Sequence, residues 1–160
     1  MPSISKYFKY PGFKVNHIQI DDLETTVRLI NSAYSYMEAY KDEPRTSLPR
    51  LKKRMGESEL FIAKQRDEIV GCFYVDREDE AVHFGLLAVI EKLRGTGLAP
   101  ALIKAVEAYA RALGADRVDL DYMSISPWLK PYYEKLGYSE TGAIVNWGTN
   151  DLIRMVKPLG

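Results

Sequence analysis

The spacing of apolar residues along the chain changes repeatedly between the period of a strand and the period of a helix. The clearest helix follows Gly97, where apolar side chains recur every three or four residues until Gly114 ends the pattern. Its apolar positions are Leu98, Ala101, Leu102, Ala105, Val106, Tyr109 and Leu113. Pro100 falls in the first turn, where a missing N–H costs little. The clearest strand precedes this helix and spans Ala81–Val89.

The remaining pattern predicts strands and helices in a regular succession. Strands are predicted at residues 13–20, 60–63, 69–75 and 118–123, with a closing antiparallel pair at residues 138–147 and 151–156. Helices are predicted from after Asp22 towards Tyr40 and at residues 48–55 and 127–136. Asp21 and Asp22 supply N-cap chemistry for the first helix, and Gly56 is expected to end the second, cationic one. The order is therefore strand, two helices, three strands, helix, strand, helix, two strands.

Composition narrows the class of protein. The 160 residues suffice for one domain with a sizeable core, so we expect residues 1–160 to form a single domain. The 22 acidic and 22 basic residues balance, which disfavours a nucleic-acid partner. No apolar run is long enough to cross a bilayer, and the first twelve residues lack the apolar core of a signal peptide. Cys72 is the only cysteine, which excludes an internal disulfide and a cysteine-rich zinc site. We expect a cytoplasmic protein without a metal.

A glycine-containing turn joins the strand Ala81–Val89 to the helix after Gly97. The N-terminus of a helix offers free N–H groups and the positive end of a dipole, both of which attract phosphate. Gly95 and Gly97 allow close approach of the backbone, and Arg94 adds a positive charge, so the turn predicts a pyrophosphate ligand. A P-loop is excluded because Leu98 and Ala99 follow the last glycine in place of Lys and Ser or Thr. A turn of the dinucleotide-binding type remains as a weaker alternative interpretation.

Two motifs resemble one known family. The sequence Arg-x-x-Gly-x-Ala from Arg94 to Ala99 resembles the acetyl-CoA loop of the GCN5-related N-acetyltransferases (GNAT superfamily). Residues 133–138, Tyr-Glu-Lys-Leu-Gly-Tyr, resemble its C-terminal signature, and residues 83–89 resemble its fourth strand. The resemblance covers about residues 81–142. It implies an α/β (α+β) fold of GNAT type, with a central mixed, mostly antiparallel sheet splayed between strands 4 and 5 and helices on both faces.

The resemblance also implies where acetyl-CoA binds. The fourth strand pairs with the pantetheine arm, the turn holds the pyrophosphate, and a bulge near Leu86 directs an N–H at the thioester oxygen. Ser126 stands where the family often has an asparagine that contacts the cofactor. The cofactor residues so implied are Leu87, Ala88, Val89, Arg94, Gly95, Thr96, Gly97, Leu98, Ala99, Pro100 and Ser126.

Two residues are candidates for proton transfer. By resemblance, Tyr133 protonates the departing thiolate of coenzyme A, a step open to a phenol whose O–H points at the sulfur. His83 lies four residues before Leu87, where one branch of the family has its base, and a neutral imidazole can take a proton from an ammonium group. The alternatives are a core aromatic for Tyr133 and a histidine satisfied at the cleft edge for His83.

The acceptor is the least determined part. Tyr34, Glu38 and Arg45 belong to the first predicted helix or the loop after it, which frames the acceptor site in this family. Aromatic and acidic groups suit a cationic amine and Arg45 suits a carboxylate, although an ordinary solvated helix face explains them equally well. We therefore expect an acetyl-CoA-dependent N-acetyltransferase acting by direct attack of a small-molecule or peptide amine, without nucleic-acid or membrane partners. A non-catalytic acyl-CoA-binding sensor is the alternative, and a homodimer is left open.

Overall fold

A seven-stranded mixed sheet forms the centre of the protein, as seen in a computed structural model that describes residues 3–39, 43–148 and 150–160. The strands are β1 Phe13–His17, β2 Glu59–Gln65, β3 Glu68–Glu78, β4 Ala81–Val89, β5 Arg117–Met123, β6 Ser139–Trp147 and β7 Asn150–Pro158. The helices are α1 Leu23–Ala33, α2 Leu48–Glu57, α3 Leu98–Ala112 and α4 Leu129–Lys135. The order along the chain is the predicted one.

The sheet opens between its two central strands. The strand order is β1-β2-β3-β4-β5-β7-β6, and every neighbouring pair is antiparallel except β4 and β5. The parallel pairing of β4 with β5 covers only Ala81 to His83 opposite Arg117 to Asp119. Beyond His83 the two strands are no longer paired, so their carboxyl-terminal halves leave a gap. The predicted fold class, including the splayed strands, is confirmed.

Helices cover both faces of the sheet. The helices α1 and α2 contact each other and strands β2 to β4, and they bury one apolar cluster around Ile30, Leu51 and Ile62. The helix α3 packs against β4 and β5 and buries a larger cluster that includes Leu102 and Val106. The apolar stripe predicted for α3 is thus the buried one, because its members recur on one side of the helix.

The strand β4 carries a bulge at the predicted place. Leu86 has a φ of 50°, and the pairing with β3 passes from Gly85 opposite Tyr74 to Ala88 opposite Cys72, so β4 has one extra residue. An extra residue reverses the alternation of side chains between the two faces. Phe84 accordingly packs on the α3 side, whereas Leu86 and Ala88 pack on the α1 side.

Several predicted boundaries are wrong, among them the end of the third strand, which continues to Glu78 rather than ending at residue 75. The first strand ends at His17 rather than at residue 20. The first helix ends at Ala33 and is followed by a 3₁₀ turn at Ser35–Ala39, because Tyr34 leaves helical geometry, and residue 40 lies outside the described residues. Gly56 does not end α2, which continues to Glu57, because this glycine does not adopt the left-handed conformation that terminates helices. Within the described part of the chain, no helix combines the length and the apolar character needed to span a membrane.

Candidate active site

Three adjoining cavities follow the gap between β4 and β5. The turn cavity, of about 400 Å³, is lined by Val89, Leu93, Arg94, Gly95, Gly97, Ala99, Pro100 and Tyr132. The gap cavity, of about 360 Å³, is lined by Ala33, Tyr34, Tyr36, Leu87, Ala88, Val89, Arg94, Ala99, Trp128, Leu129, Tyr132 and Tyr133. The inner cavity, of about 320 Å³, is lined by Tyr34, Arg45, Arg50, Arg54, Tyr74, His83, Phe84, Gly85, Leu86, Leu87, Leu120, Asp121, Tyr122, Met123, Leu129, Tyr133 and Leu152. Adjacent cavities share four residues each, so one path leads from the glycine turn to His83.

The glycine turn has the backbone geometry that a phosphate cradle needs. Gly95 and Gly97 have φ values of 75° and 94°, a region that disfavours any residue with a Cβ. Gly97 directly precedes α3, so the turn presents the first N–H groups of that helix. The Tyr10 hydroxyl donates a hydrogen bond to the carbonyl of Thr96 at 2.5 Å and holds the turn from outside. Nothing in the sequence pattern indicates this contact of Tyr10, because 86 residues separate it from Thr96.

The predicted cofactor residues fall into two groups. Most of them line the turn cavity or the gap cavity: Leu87, Ala88, Val89, Arg94, Gly95, Gly97, Ala99 and Pro100. The other three do not. The hydroxyl of Thr96 donates to the carbonyl of Leu93, the side chain of Leu98 is buried in the core, and Ser126 is buried in a hydrogen bond of 2.8 Å with the Tyr36 hydroxyl.

A tyrosine from α1 fixes the bulged part of β4. Tyr34 lines both the gap cavity and the inner cavity, and its hydroxyl donates to the carbonyl of Leu87 at 2.9 Å. Burial raises the pKa of Tyr34, so the donor stays protonated. Tyr34 was predicted to contact the acceptor; it lines the inner cavity, and its hydroxyl also positions β4 through the carbonyl of Leu87.

Tyr133 lies where the gap cavity and the inner cavity meet. Its ring packs edge-on against Phe84 and Tyr138, and the residue is only 7% exposed. Burial raises the pKa of the phenol well above its usual value, so the hydroxyl remains protonated at neutral pH. Its hydroxyl has no hydrogen-bond partner among the described residues. The phenol is therefore a protonated donor beside a cavity large enough for a thioester.

His83 forms a buried pair with an aspartate from the neighbouring strand. Its Nδ1 lies 2.5 Å from Oδ1 of Asp119, and the two residues are register partners in the short parallel ladder of β4 and β5. Arg154 lies 3.5 Å from the other oxygen of Asp119 and holds that carboxylate in place. The pairing leaves Nε2 as the second nitrogen of a ring that lines the inner cavity.

The wall of the inner cavity opposite β4 is rich in arginine. Arg45, which was predicted, lines it together with Arg50 and Arg54 of α2. The side chain of Glu38, also predicted to contact the acceptor, lies outside the described residues. Sequence reasoning missed Arg50 and Arg54, although their spacing of four on a helix signals that they share a face. A separate open groove of about 540 Å³ at the end of α2 contains none of the predicted site residues.

Comparison with known proteins agrees with this geometry. Residues 31–159 match the family profile described as the acetyltransferase (GNAT) domain. Among solved structures, Ard1 from Thermoplasma volcanium is similar with a TM-score of 0.75 at 17% identity, covering 93% of this chain and 99% of that one. The ribosomal-protein-S18-alanine N-acetyltransferase from Escherichia coli has a TM-score of 0.74 at 17% identity, covering 92% and 94%.

A third similar structure contains coenzyme A. It is the spermidine N-acetyltransferase from Vibrio cholerae in complex with CoA and spermine, with a TM-score of 0.72 at 18% identity, covering 94% of this chain and 97% of that one. At such identities the structures show a shared fold and not a shared substrate. No curated protein sequence matches the chain significantly.

Proposed function

Since the chain belongs to the GNAT acetyltransferase family, we propose that it transfers the acetyl group of acetyl-CoA to a primary amine by direct attack. One observation carries the proposal most directly. A continuous path leads from a left-handed glycine turn, suited to a pyrophosphate, to a cavity lined by a histidine and a buried tyrosine. Reaction of two substrates in a single complex needs such a continuous space, in which the two can meet.

The glycine turn and β4 fit coenzyme A. Among the described residues, no atom lies within 4 Å of a Cβ added at Gly95, and only the Tyr10 side chain comes that close at Gly97, so the turn has room for a ligand. Arg94 lines both the turn cavity and the gap cavity and supplies positive charge for the pyrophosphate. In the proposal, the backbone of Ala88 and Val89 pairs with the amide groups of the pantetheine arm. The β4 bulge supplies an N–H for the charge that develops on the thioester oxygen.

His83 prepares the amine in this proposal. An ammonium group has no lone pair, so it must lose a proton before its nitrogen can bond to the acetyl carbon. Asp119 holds Nδ1 and thereby directs Nε2 to accept that proton, either directly or through water. Arg154 lies 3.5 Å from Asp119 and keeps its carboxylate aligned, and it acts as a positioning residue rather than a catalytic one.

Tyr133 completes the transfer in this proposal. As the C–N bond forms and the C–S bond breaks, the electron pair of the C–S bond stays on sulfur as a thiolate. Tyr133 donates its phenolic proton to that sulfur, and the second proton that the nitrogen loses as the amide forms returns through water to the phenolate, so that one proton in total, the one on His83, passes to solvent. Its buried position at the junction of the two cavities supports this role, because the scissile bond must lie there if acetyl-CoA occupies the gap.

The test is a turnover screen with acetyl-CoA over amines, amino acids, polyamines and peptide N-termini. We expect thiol release matched one to one by an acetylated amine. Acetyl-CoA that binds tightly but is not turned over with any acceptor would instead favour the sensor alternative, in which Tyr133 only forms a wall of the cofactor site.

A further inference from the structure

The N-terminal segment, residues 3–12, reaches the glycine turn through Tyr10. This segment lies outside residues 31–159, the part of the chain that matches the family profile. Its buried anchors are Ile4 and Phe8, which belong to the same apolar cluster as the buried side of α3. Beyond these anchors, the hydroxyl of Tyr10 donates to a backbone carbonyl of the turn at 2.5 Å. A segment that is distant in sequence therefore contacts the backbone of the proposed cofactor site.

Aromatic packing and a backbone bond hold Tyr10 in place. Its ring lies edge-on to that of Phe13, the first residue of β1, with the ring centres 5.0 Å apart, and the ring of Phe8 lies 6.3 Å away. The N–H of Phe13 donates to the carbonyl of Tyr10 at 3.1 Å, which ties this backbone to the start of the sheet. The fold therefore fixes the hydroxyl of Tyr10 independently of the glycine turn.

The hydrogen bond from Tyr10 sets the orientation of one peptide group in the turn. The carbonyl of Thr96, which accepts the bond, and the N–H of Gly97 belong to a single trans peptide, so they point in opposite directions. Among the described residues, the N–H of Gly97 has no hydrogen-bond acceptor. Gly97 lines the turn cavity, whereas Tyr10 does not. Tyr10 thus directs an unused donor away from the N-terminal segment.

The opposite orientation of this peptide would disfavour an anion. A peptide next to glycine flips at little cost, because glycine adopts positive and negative φ about equally readily. The flipped peptide between Thr96 and Gly97 would direct a carbonyl oxygen, with its partial negative charge, to the side that now presents the N–H. The preceding peptide is held separately, because the N–H of Thr96 donates to the carbonyl of Leu93 at 3.3 Å. Tyr10 is therefore the residue that opposes this flip.

We infer that Tyr10 is a positioning residue for the cofactor: its hydrogen bond to Thr96 keeps the N–H of Gly97 directed at the pyrophosphate of acetyl-CoA. The inference rests on the proposed function, because it concerns the same cofactor turn. Without the bond, the turn divides its population between the two orientations of the peptide. The apparent Kd then rises by the inverse of the fraction that can bind, and only for ligands that carry the pyrophosphate.

The test compares acetyl-CoA with acetyl-pantetheine, which lacks the pyrophosphate. Both ligands are titrated by calorimetry into wild type and into Tyr10→Phe, which keeps the ring and deletes only the hydroxyl. We expect the Kd for acetyl-CoA to rise about 3- to 10-fold, the contribution of one hydrogen bond, and the Kd for acetyl-pantetheine to stay unchanged. In turnover, the KM for acetyl-CoA should rise while kcat is unchanged.

Tyr7→Phe is the matched control. Tyr7 belongs to the same segment and packs against the same apolar cluster, and its hydroxyl makes no hydrogen bond among the described residues. This variant should bind both ligands as wild type does. Melting temperatures show whether each variant is folded.

The amide of Gly97 offers a second measurement, which needs no ligand. Relaxation dispersion of the free proteins should show exchange on the μs–ms timescale at Gly97 in Tyr10→Phe and not in wild type or Tyr7→Phe. The same relaxation in all three proteins would show that Tyr10 does not hold the peptide and would overturn the inference.

The outcomes separate this inference from the proposed function. An unchanged Kd for acetyl-CoA in Tyr10→Phe, or equal weakening of both ligands, would overturn the inference and leave the acetyltransferase proposal standing. Acetyl-CoA whose binding depends on Tyr10 but whose acetyl group is transferred to no amine would support the inference while the proposed function fails. A wild-type protein that binds no acetyl-CoA would overturn both.

Discussion

Gly97 offers the sharpest perturbation of the proposed cofactor turn. Its φ of 94° is left-handed, and in the part of the chain that the structure describes an added Cβ would meet only the Tyr10 side chain, at 3.8 Å or more. Space is therefore available, and the obstacle to a larger residue is the backbone conformation. Holding an L-residue in that region costs roughly 1–3 kcal/mol, toward the upper end for a β-branched side chain.

The strain of the Gly97→Val turn should weaken the binding of acetyl-CoA. The turn is exposed, so a Gly97→Val protein can relax it in the free state and must restore the strained geometry to bind the pyrophosphate. A cost of about 1–3 kcal/mol corresponds to a Kd for acetyl-CoA raised about 5- to 150-fold. The valine side chain next to the anion can only add to this loss.

Gly114 provides the matched control. It has a φ of 82°, no atom of the described residues lies within 4 Å of an added Cβ, and it follows the far end of α3. Gly114→Val introduces similar strain away from the cavities and should lower the free energy of unfolding without changing Kd. Calorimetric titration of acetyl-CoA into both folded variants is the assay. An unchanged Kd in Gly97→Val, or equal weakening in both variants, would refute the argument.

Three further predictions concern proton transfer and burial. Tyr133→Phe should lower kcat by about 10²- to 10⁴-fold with little change in acetyl-CoA affinity, as measured by steady-state kinetics and by direct binding of acetyl-CoA. A near-normal kcat would mean that water, and not Tyr133, protonates the leaving thiolate. His83→Ala should slow transfer most at neutral pH and less at high pH, where free amine is abundant. Asp119→Asn should change the pH–rate profile in the same direction. Profiles of both variants that run parallel to wild type would show that the His83–Asp119 pair does not deprotonate the amine. Burial raises the pKa of Cys72 from 9.0 to about 12, so unfolding releases a proton between those pH values and the free energy of unfolding falls as pH rises through them. Chemical denaturation at several pH values should show a flatter decline for Cys72→Ala, and an identical slope would contradict this.

Local patterns predicted the parts of the fold that depend on neighbouring residues. The bounds of β4 and the start of α3 followed from hydrophobic spacing, and the glycine turn between them followed from residues adjacent in sequence. The end of α1 did not, because Tyr34 leaves the helix and bonds to Leu87, which is 53 residues away. The spacing of apolar residues in a helix cannot predict such an end, because the contact forms only once the sheet has assembled.

In the candidate site, too, single residues could be predicted from the sequence, whereas their distant partners could not. Its histidine was found by motif, but its partner Asp119 becomes visible only when β4 and β5 pair in parallel. Arg50 and Arg54 read as a solvated helix face until α2 packs against the sheet and aims them at the inner cavity. Ser126 was placed at the cofactor by its position in a motif, whereas the structure buries it against Tyr36.

A single-turnover experiment tests the central claim most directly. The protein is loaded with one equivalent of acetyl-CoA labelled in the acetyl group, a primary amine is added in excess, and the label is followed in coenzyme, protein and amine over time. The account predicts that the label passes from acetyl-CoA to the amine without appearing on the protein. Label that accumulates on the protein would contradict direct attack, and label that stays in bound acetyl-CoA with every amine would contradict the assignment as an enzyme.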